Sequence, residues 1–161
     1  MKYVIFIFFS SFFIPINAQS IEFFNNNRLI LGTYKELTAS MGIGDIDGDG
    51  DADILVANGR HWPGQNRIFV NDGRGVFTVL RNLGEEQETS YSTELADFDG
   101  DGDLDIAVGN DMAPNYILIN DGKGYFTKGS SFGETYGHTR NIVVVDIDND
   151  GDKDILITNR G

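Results

Sequence analysis

Asp45-Ile46-Asp47-Gly48-Asp49-Gly50-Asp51-Ala52-Asp53 places five acids at alternate positions and runs directly into Ile54-Leu55-Val56. The pattern returns as Asp97-Phe98-Asp99-Gly100-Asp101-Gly102-Asp103-Leu104-Asp105, followed by Ile106-Ala107-Val108. It returns again as Asp146-Ile147-Asp148-Asn149-Asp150-Gly151-Asp152-Lys153-Asp154, followed by Ile155-Leu156-Ile157. Five carboxylates within nine residues repel one another, so a structure that gathers them needs a cation between them. An all-oxygen donor set calls for a hard cation. Calcium takes six to eight oxygens with loose geometry, whereas magnesium demands a strict octahedron and keeps its waters.

A solvated Asp-Gly turn is the plain alternative. It gives no reason to hold acids at positions 1, 3, 5 and 9 with Gly at position 6 three times in one chain. An EF-hand starts in the same way but needs a bidentate Glu at position 12 on an exiting helix. Position 12 here is Val56, Val108 and Ile157, inside apolar strand-like runs. The residue pattern therefore favours a metal loop that is not an EF-hand.

The registration extends beyond the acids. Asp45 to Asp97 is 52 residues and Asp97 to Asp146 is 49. The run Asn66-Arg-Ile-Phe-Val-Asn71-Asp-Gly-Arg-Gly75-Val-Phe77-Thr78 aligns position for position with Asn115-Tyr-Ile-Leu-Ile-Asn120-Asp-Gly-Lys-Gly124-Tyr-Phe126-Thr127. Asn58, Asn110 and Asn159 each fall five residues after the last Asp of their loop. A period near 50 marks a repeat architecture. Each unit reads as four short strands, represented in the first unit by 41–44, 54–57, 67–70 and 76–80, with an Asn-Asp-Gly turn before the fourth. No segment keeps a 3.6-residue apolar period, so no helix is expected after residue 18. Units begin near residues 38, 90 and 139. Ile21-Glu22-Phe23-Phe24 stands where the last strand of a preceding unit would stand, and the third unit stops after its second strand. A propeller closes with about four blades or more, so either further repeats lie outside this chain or the fold is an open arc.

The chain of 161 residues carries a formal net charge of −13 with 25 acids, most of them in the three loops. Nothing resembles a basic stripe, which disfavours nucleic-acid partners. There is no cysteine, which excludes disulfides, thiolate metal sites and a lipidated N-terminal cysteine. Residues 1–18 have the form of a secretory signal. Lys2 is followed by an apolar run from Tyr3 to Ile14, then Pro15 and a small residue, Ala18, suited to cleavage before Gln19. The run is shorter than the roughly 20 apolar residues of a membrane span, so cleavage rather than a stable anchor is expected. Domains are thus a signal peptide over 1–18 and a repeat region over 19–161, in a secreted, periplasmic or cell-surface protein.

These repeats resemble the FG-GAP/VCBS repeats that form the blades of integrin-α-like β-propellers. The likeness rests on the Asp-x-Asp-Gly-Asp-Gly-x-x-Asp loops between two strands and on the downstream Asn-Asp-Gly-x-Gly-x-Phe turn, and it covers residues 21–161. It implies an all-β fold: a partial β-propeller of four-stranded antiparallel blades with calcium between the first and second strands. About three calcium ions per chain are implied. Their side-chain ligands would be Asp45, Asp47, Asp49 and Asp53, then Asp97, Asp99, Asp101 and Asp105, then Asp146, Asp148, Asp150 and Asp154. Asp51, Asp103 and Asp152 would give backbone carbonyls. Asn149 replaces a Gly of the other loops, and Asn tolerates left-handed backbone.

The unit repeats while the segment between its second and third strands varies, and there Arg60, His61 and Trp62 stand together. They read either as a platform for a sugar or protein ligand or as a turn with Trp62 tucked over a blade edge. Tyr91, Tyr116, Tyr125 and Tyr136 are expected to pack between strands. No nucleophile elbow or paired catalytic carboxylates emerge, and Glu85, Glu86, Glu88, Glu94 and Glu134 have no assigned partner. The resulting expectation is a non-catalytic, calcium-binding module for adhesion or for recognition of an extracellular glycan or protein. The alternative is the propeller part of a secreted enzyme such as a polysaccharide lyase.

Overall fold

A computed structural model describes Leu31 and residues 35–161 apart from Thr78. The signal segment and the strand expected at Ile21–Phe24 lie outside these residues. Three antiparallel sheets follow one another along the chain. The first has strands β1 (Thr38–Gly44), β2 (Asp53–Asn58), β3 (Arg67–Val70) and β4 (Val79–Asn82), in that spatial order. The second repeats it with β5 (Ser90–Ala96), β6 (Asp105–Asn110), β7 (Asn115–Asn120) and β8 (Phe126–Phe132). The third is the pair β9 (Thr139–Val145) and β10 (Asp154–Asn159). Among the described residues there is no helix, and the sheets do not close into a ring.

Each strand pair follows from local chemistry. The β1–β2 hairpin closes through its acid loop, with Gly44 opposite Asp53. The β3–β4 turn is wider than a two-residue hairpin. Asn71 Oδ1 accepts the N–H groups of Gly73 and Gly75, and Asp72 Oδ1 accepts those of Arg74 and Val76. Val76 is thereby held by the turn, and the strand expected over 76–80 pairs only from Val79. Gly73 and Gly75 sit at φ 77° and 75°, backbone that favours glycine. In the third acid loop Asn149 takes φ 60°, where its counterparts Gly48 and Gly100 take 73° and 82°.

Sheets stack face to face with β1, β5 and β9 as successive neighbours. Leu55, Ile68, Val70 and Leu83 of the first unit meet Ile106, Val108, Tyr116 and Leu118 of the second in one buried cluster. Each fully buried aliphatic chain there contributes roughly 1.5–3 kcal/mol by leaving water. Glycines set the spacing: a Cβ on Gly42 would stand 3.4 Å from Leu95 Cδ1, and one on Gly109 only 2.8 Å from Thr139 Cγ2. Met41, Ile54, Val56 and Phe69 line an open groove of about 500 Å3 on the other face of the first sheet, and Met41 and Ile43 are about two-thirds exposed.

Candidate metal centres

The antiparallel topology sends all three acid loops, with the β3–β4 and β7–β8 turns, to one rim of the stack. The β2–β3 and β6–β7 loops lie on the opposite rim.

Within each loop the backbone gathers the acids. In the first, Asp45 Oδ2 accepts the Gly50 N–H at 3.0 Å and Asp49 Oδ1 accepts the Asp51 N–H at 2.9 Å. In the second, Asp97 receives both Gly100 and Gly102 N–H groups, at 2.7 and 3.1 Å. In the third, Asp146 receives Asp150 and Gly151 in the same manner. Three carboxylate groups result: Asp45, Asp47 and Asp53; Asp97, Asp99 and Asp101; Asp146, Asp148 and Asp154. In each, one oxygen from every member lies within 4.8 Å of the others, and each group could hold a metal ion. Asp49, Asp51, Asp103, Asp105, Asp150 and Asp152 fall outside these groups.

The donor chemistry fits a hard cation. Asp45 Oδ1 and Asp47 Oδ1 are buried without a hydrogen-bond partner, which is costly unless a cation meets them. Burial, then the neighbouring Asp53 and Asp49 charges, raise the Asp47 carboxyl above the ordinary range, against the pull of Arg81. Asp99, although exposed, is also raised, by desolvation within the loop and by the nearby acids Asp101 and Asp105, against the Asp101 N–H it accepts.

The ninth and seventh acids of the first two loops have further contacts. Asp53 is fully buried; its Oδ2 accepts Ile46 N–H at 3.0 Å and its Oδ1 accepts Asn71 N–H at 2.8 Å. Asp105 repeats this with Phe98 and Asn120, both at 2.8 Å. The ninth acid of the loop therefore ties it to the end of the third strand. The Asp51 and Asp103 carboxylates lean against the Gly73 and Gly122 turns, where an added Cβ would stand 2.5 and 2.3 Å from them.

On the opposite rim, Arg60, His61 and Trp62 do not converge on one pocket. His61 Nδ1 bonds the Tyr91 hydroxyl at 3.1 Å. Trp62 is 73% exposed and borders a cavity of about 320 Å3 with Lys35, Glu36 and Gln87. The tucked reading of Trp62 is overturned, because the blade edge leaves its ring open. Tyr116 is buried as expected, but Tyr125 and Tyr136 are 65% and 76% exposed, since both stand in turns rather than inside the sheet sandwich. Two clusters were not legible in the sequence. Arg140 stacks on Tyr91 at 4.1 Å and joins His138 on Asp111, at 2.9 and 2.7 Å. Burial opposes the charge on Asp111, yet these two partners hold its carboxyl below the ordinary range. Glu88 accepts the Tyr116 hydroxyl at 2.6 Å and the Asn110 amide at 3.1 Å.

Stacked four-stranded antiparallel sheets, each entered through an acid loop between its first two strands, define a β-propeller-type repeat module. The chain belongs to the FG-GAP-like repeat family, whose model matches residues 45–108 and 97–157. A search of curated proteins returned no match to the chain. Among the described residues no helix is long and apolar enough to cross a membrane.

Proposed function

We propose that this chain is a calcium-stabilised, non-catalytic recognition module that acts outside the cytosol. The observation that carries the reading is the pair of buried, partnerless oxygens, Asp45 Oδ1 and Asp47 Oδ1, inside a three-carboxylate group that recurs twice more. Calcium suits oxygen-only, flexible loops of this kind and is plentiful outside cells. Its ligands would include Asp45, Asp47 and Asp53 in the first loop, with the Asp51 carbonyl. Asp97, Asp99 and Asp101 would serve in the second loop and Asp146, Asp148 and Asp154 in the third, for about three ions per chain. Export through residues 1–18, with cleavage before Gln19, places the module where that calcium is. Recognition would fall to the opposite rim, where Trp62, Met112 and Tyr136 stand exposed, and the ligand would be a glycan or protein in adhesion or surface binding.

Calcium titration of the full chain tests the reading. About three ions should bind, and the thermal midpoint should rise with calcium and fall with chelator. An unchanged midpoint in excess chelator would refute it.

A further inference from the structure

The first and second acid loops are not independent. Asn120, at the end of β7, is buried and all of its side-chain groups are used. Its Nδ2 donates to Ile46 O at 2.8 Å and to Leu104 O at 3.0 Å, and its Oδ1 accepts Gly124 N–H at 3.0 Å. Ile46 lies between Asp45 and Asp47 of the first loop, and Leu104 between Asp103 and Asp105 of the second. The Asn120 backbone N–H also donates to Asp105 Oδ1. One amide group thus reaches both loops, and its three contacts fix its rotamer. It cannot hold one carbonyl in place without standing where it holds the other.

A second link runs beside it. Arg81 of β4 donates to Lys123 O at 2.9 Å in the β7–β8 turn, stands 5.2 Å from the centre of the Tyr125 ring, and approaches Asp47 Oδ2 at 3.7 Å. That leaves Asp47 Oδ1 as the partnerless atom. The turn itself lies against the first loop: a Cβ on Gly48 would stand 2.8 Å from Gly122 O. Asn71, the counterpart of Asn120 in the first unit, donates only to Ala52 O of its own loop among the described residues. Among those residues no hydrogen bond joins the third loop to either of the others.

We infer that Asn120 couples metal binding at the first and second loops, so that an ion in one strengthens binding in the other. An ion in the second loop would order Leu104 and Asp105, which seats Asn120. Asn120 would then order Ile46 and the two acids that flank it. Arg81 is a positioning residue for Asp47 in the same unit. This rests on the proposed calcium binding. Its sign separates it from charge alone, because a cation in one acid loop lowers the attraction of its neighbour for a second cation, weakly at physiological salt.

The test uses calcium itself and the full chain in an Asp148→Ala background, which silences the third loop. Calorimetric titration of that protein gives two stepwise constants. Adding Asp99→Ala isolates the first loop, and adding Asp47→Ala isolates the second. The product of the stepwise constants should exceed the product of the isolated ones by about five-fold or more, the usual range of allosteric coupling. Asn120→Ala should bring that ratio to about one, and Arg81→Met, on the exposed edge, should lower it. A ratio of one or less in the parent overturns the coupling whether or not the Asn120 variant folds, and so does a ratio that neither variant changes. Absence of any calcium binding would instead overturn the calcium reading on which the coupling stands.

Discussion

Asn66 Nδ2 donates to Ser90 Oγ at 2.8 Å across the seam between the first and second sheets, with both residues buried. Asn66 Oδ1 meanwhile accepts the Asn58 N–H. Ser90 Oγ donates in turn to Asn110 Oδ1, Asn110 N–H to Asn115 Oδ1, Asn115 Nδ2 to Thr139 Oγ1, and Thr139 Oγ1 to Asn159 Oδ1. A buried polar relay therefore crosses all three units. Removing one member orphans its neighbours at a cost of about 1–3 kcal/mol for each unsatisfied group. Asn66→Ala and Asn115→Ala should each lower stability by at least that much in denaturant titration. A loss under about 0.5 kcal/mol, the range of ordinary surface substitutions, would show that water replaces the amide.

Asp47→Ala and Asp51→Ala should separate cleanly. Asp47 presents a partnerless buried oxygen to its group, whereas the Asp51 carboxylate rests on the Gly73 turn. Calcium titration should lose one site in Asp47→Ala and keep all sites in Asp51→Ala. Equal losses would assign Asp51 a side-chain role at the metal.

Gly59 and Gly75 both have positive φ, at 109° and 75°. A Cβ on Gly59 would lie 2.1 Å from Glu88 O and 2.9 Å from Gly64 N, both backbone, whereas a Cβ on Gly75 meets nothing within 4 Å. Gly75→Ala should cost roughly 1–2 kcal/mol, the conformational penalty alone. Gly59→Ala should cost more, because the β2–β3 loop must also move. Equal thermal midpoints for the two variants would contradict this ranking.

Asp111 joins the third unit to the second through Arg140 and His138. Its folded carboxyl titrates below its unfolded value of about 3.9, so its contribution is present above that pH and is lost as pH falls through the folded value. Asp111→Asn should therefore be less stable than the parent by about 1 kcal/mol at neutral pH, given the partial exposure of the pair. The gap should hold down to about pH 4 and close below it. Thermal melts of both proteins across pH 2.5–7, all about 0.5 unit apart, would measure it. A gap that widens in acid would reverse the sign.

The sheet order was legible because strand, acid loop and Asn-Asp-Gly turn recur in register, and each is a local instruction. The role of Asn58, Asn110 and Asn159 was not. Their constant spacing after each loop is visible, but their partners Thr38, Ser90 and Thr139 face them across the same hairpin beyond a register shift, and the onward bonds from Asn66 to Ser90 and from Asn115 to Thr139 form only when the sheets stack. The same limit hid Asp111–Arg140 and Asn120–Ile46, whose members are 29 and 74 positions apart in a chain whose local pattern predicts neither contact. The exposure of Trp62, Tyr125 and Tyr136 was hidden too, because aromatic content alone does not say whether a turn lies over a sheet or beyond it.

The seams also differ where the loops agree. On the face of its opening strand that meets the next unit, the first unit carries Ser40, Gly42 and Gly44, and the second carries Ser92, Glu94 and Ala96 at the matching positions. The facing chains change in step, from Thr93 and Leu95 to Ile142 and Val144. Leu95 fits over Gly42 because there is no Cβ to meet it, a space that Glu94 would fill. The repeats thus carry addresses: near-copies in their ion loops, they are written to be read in one order, and a shuffled chain would keep every loop and lose its joints.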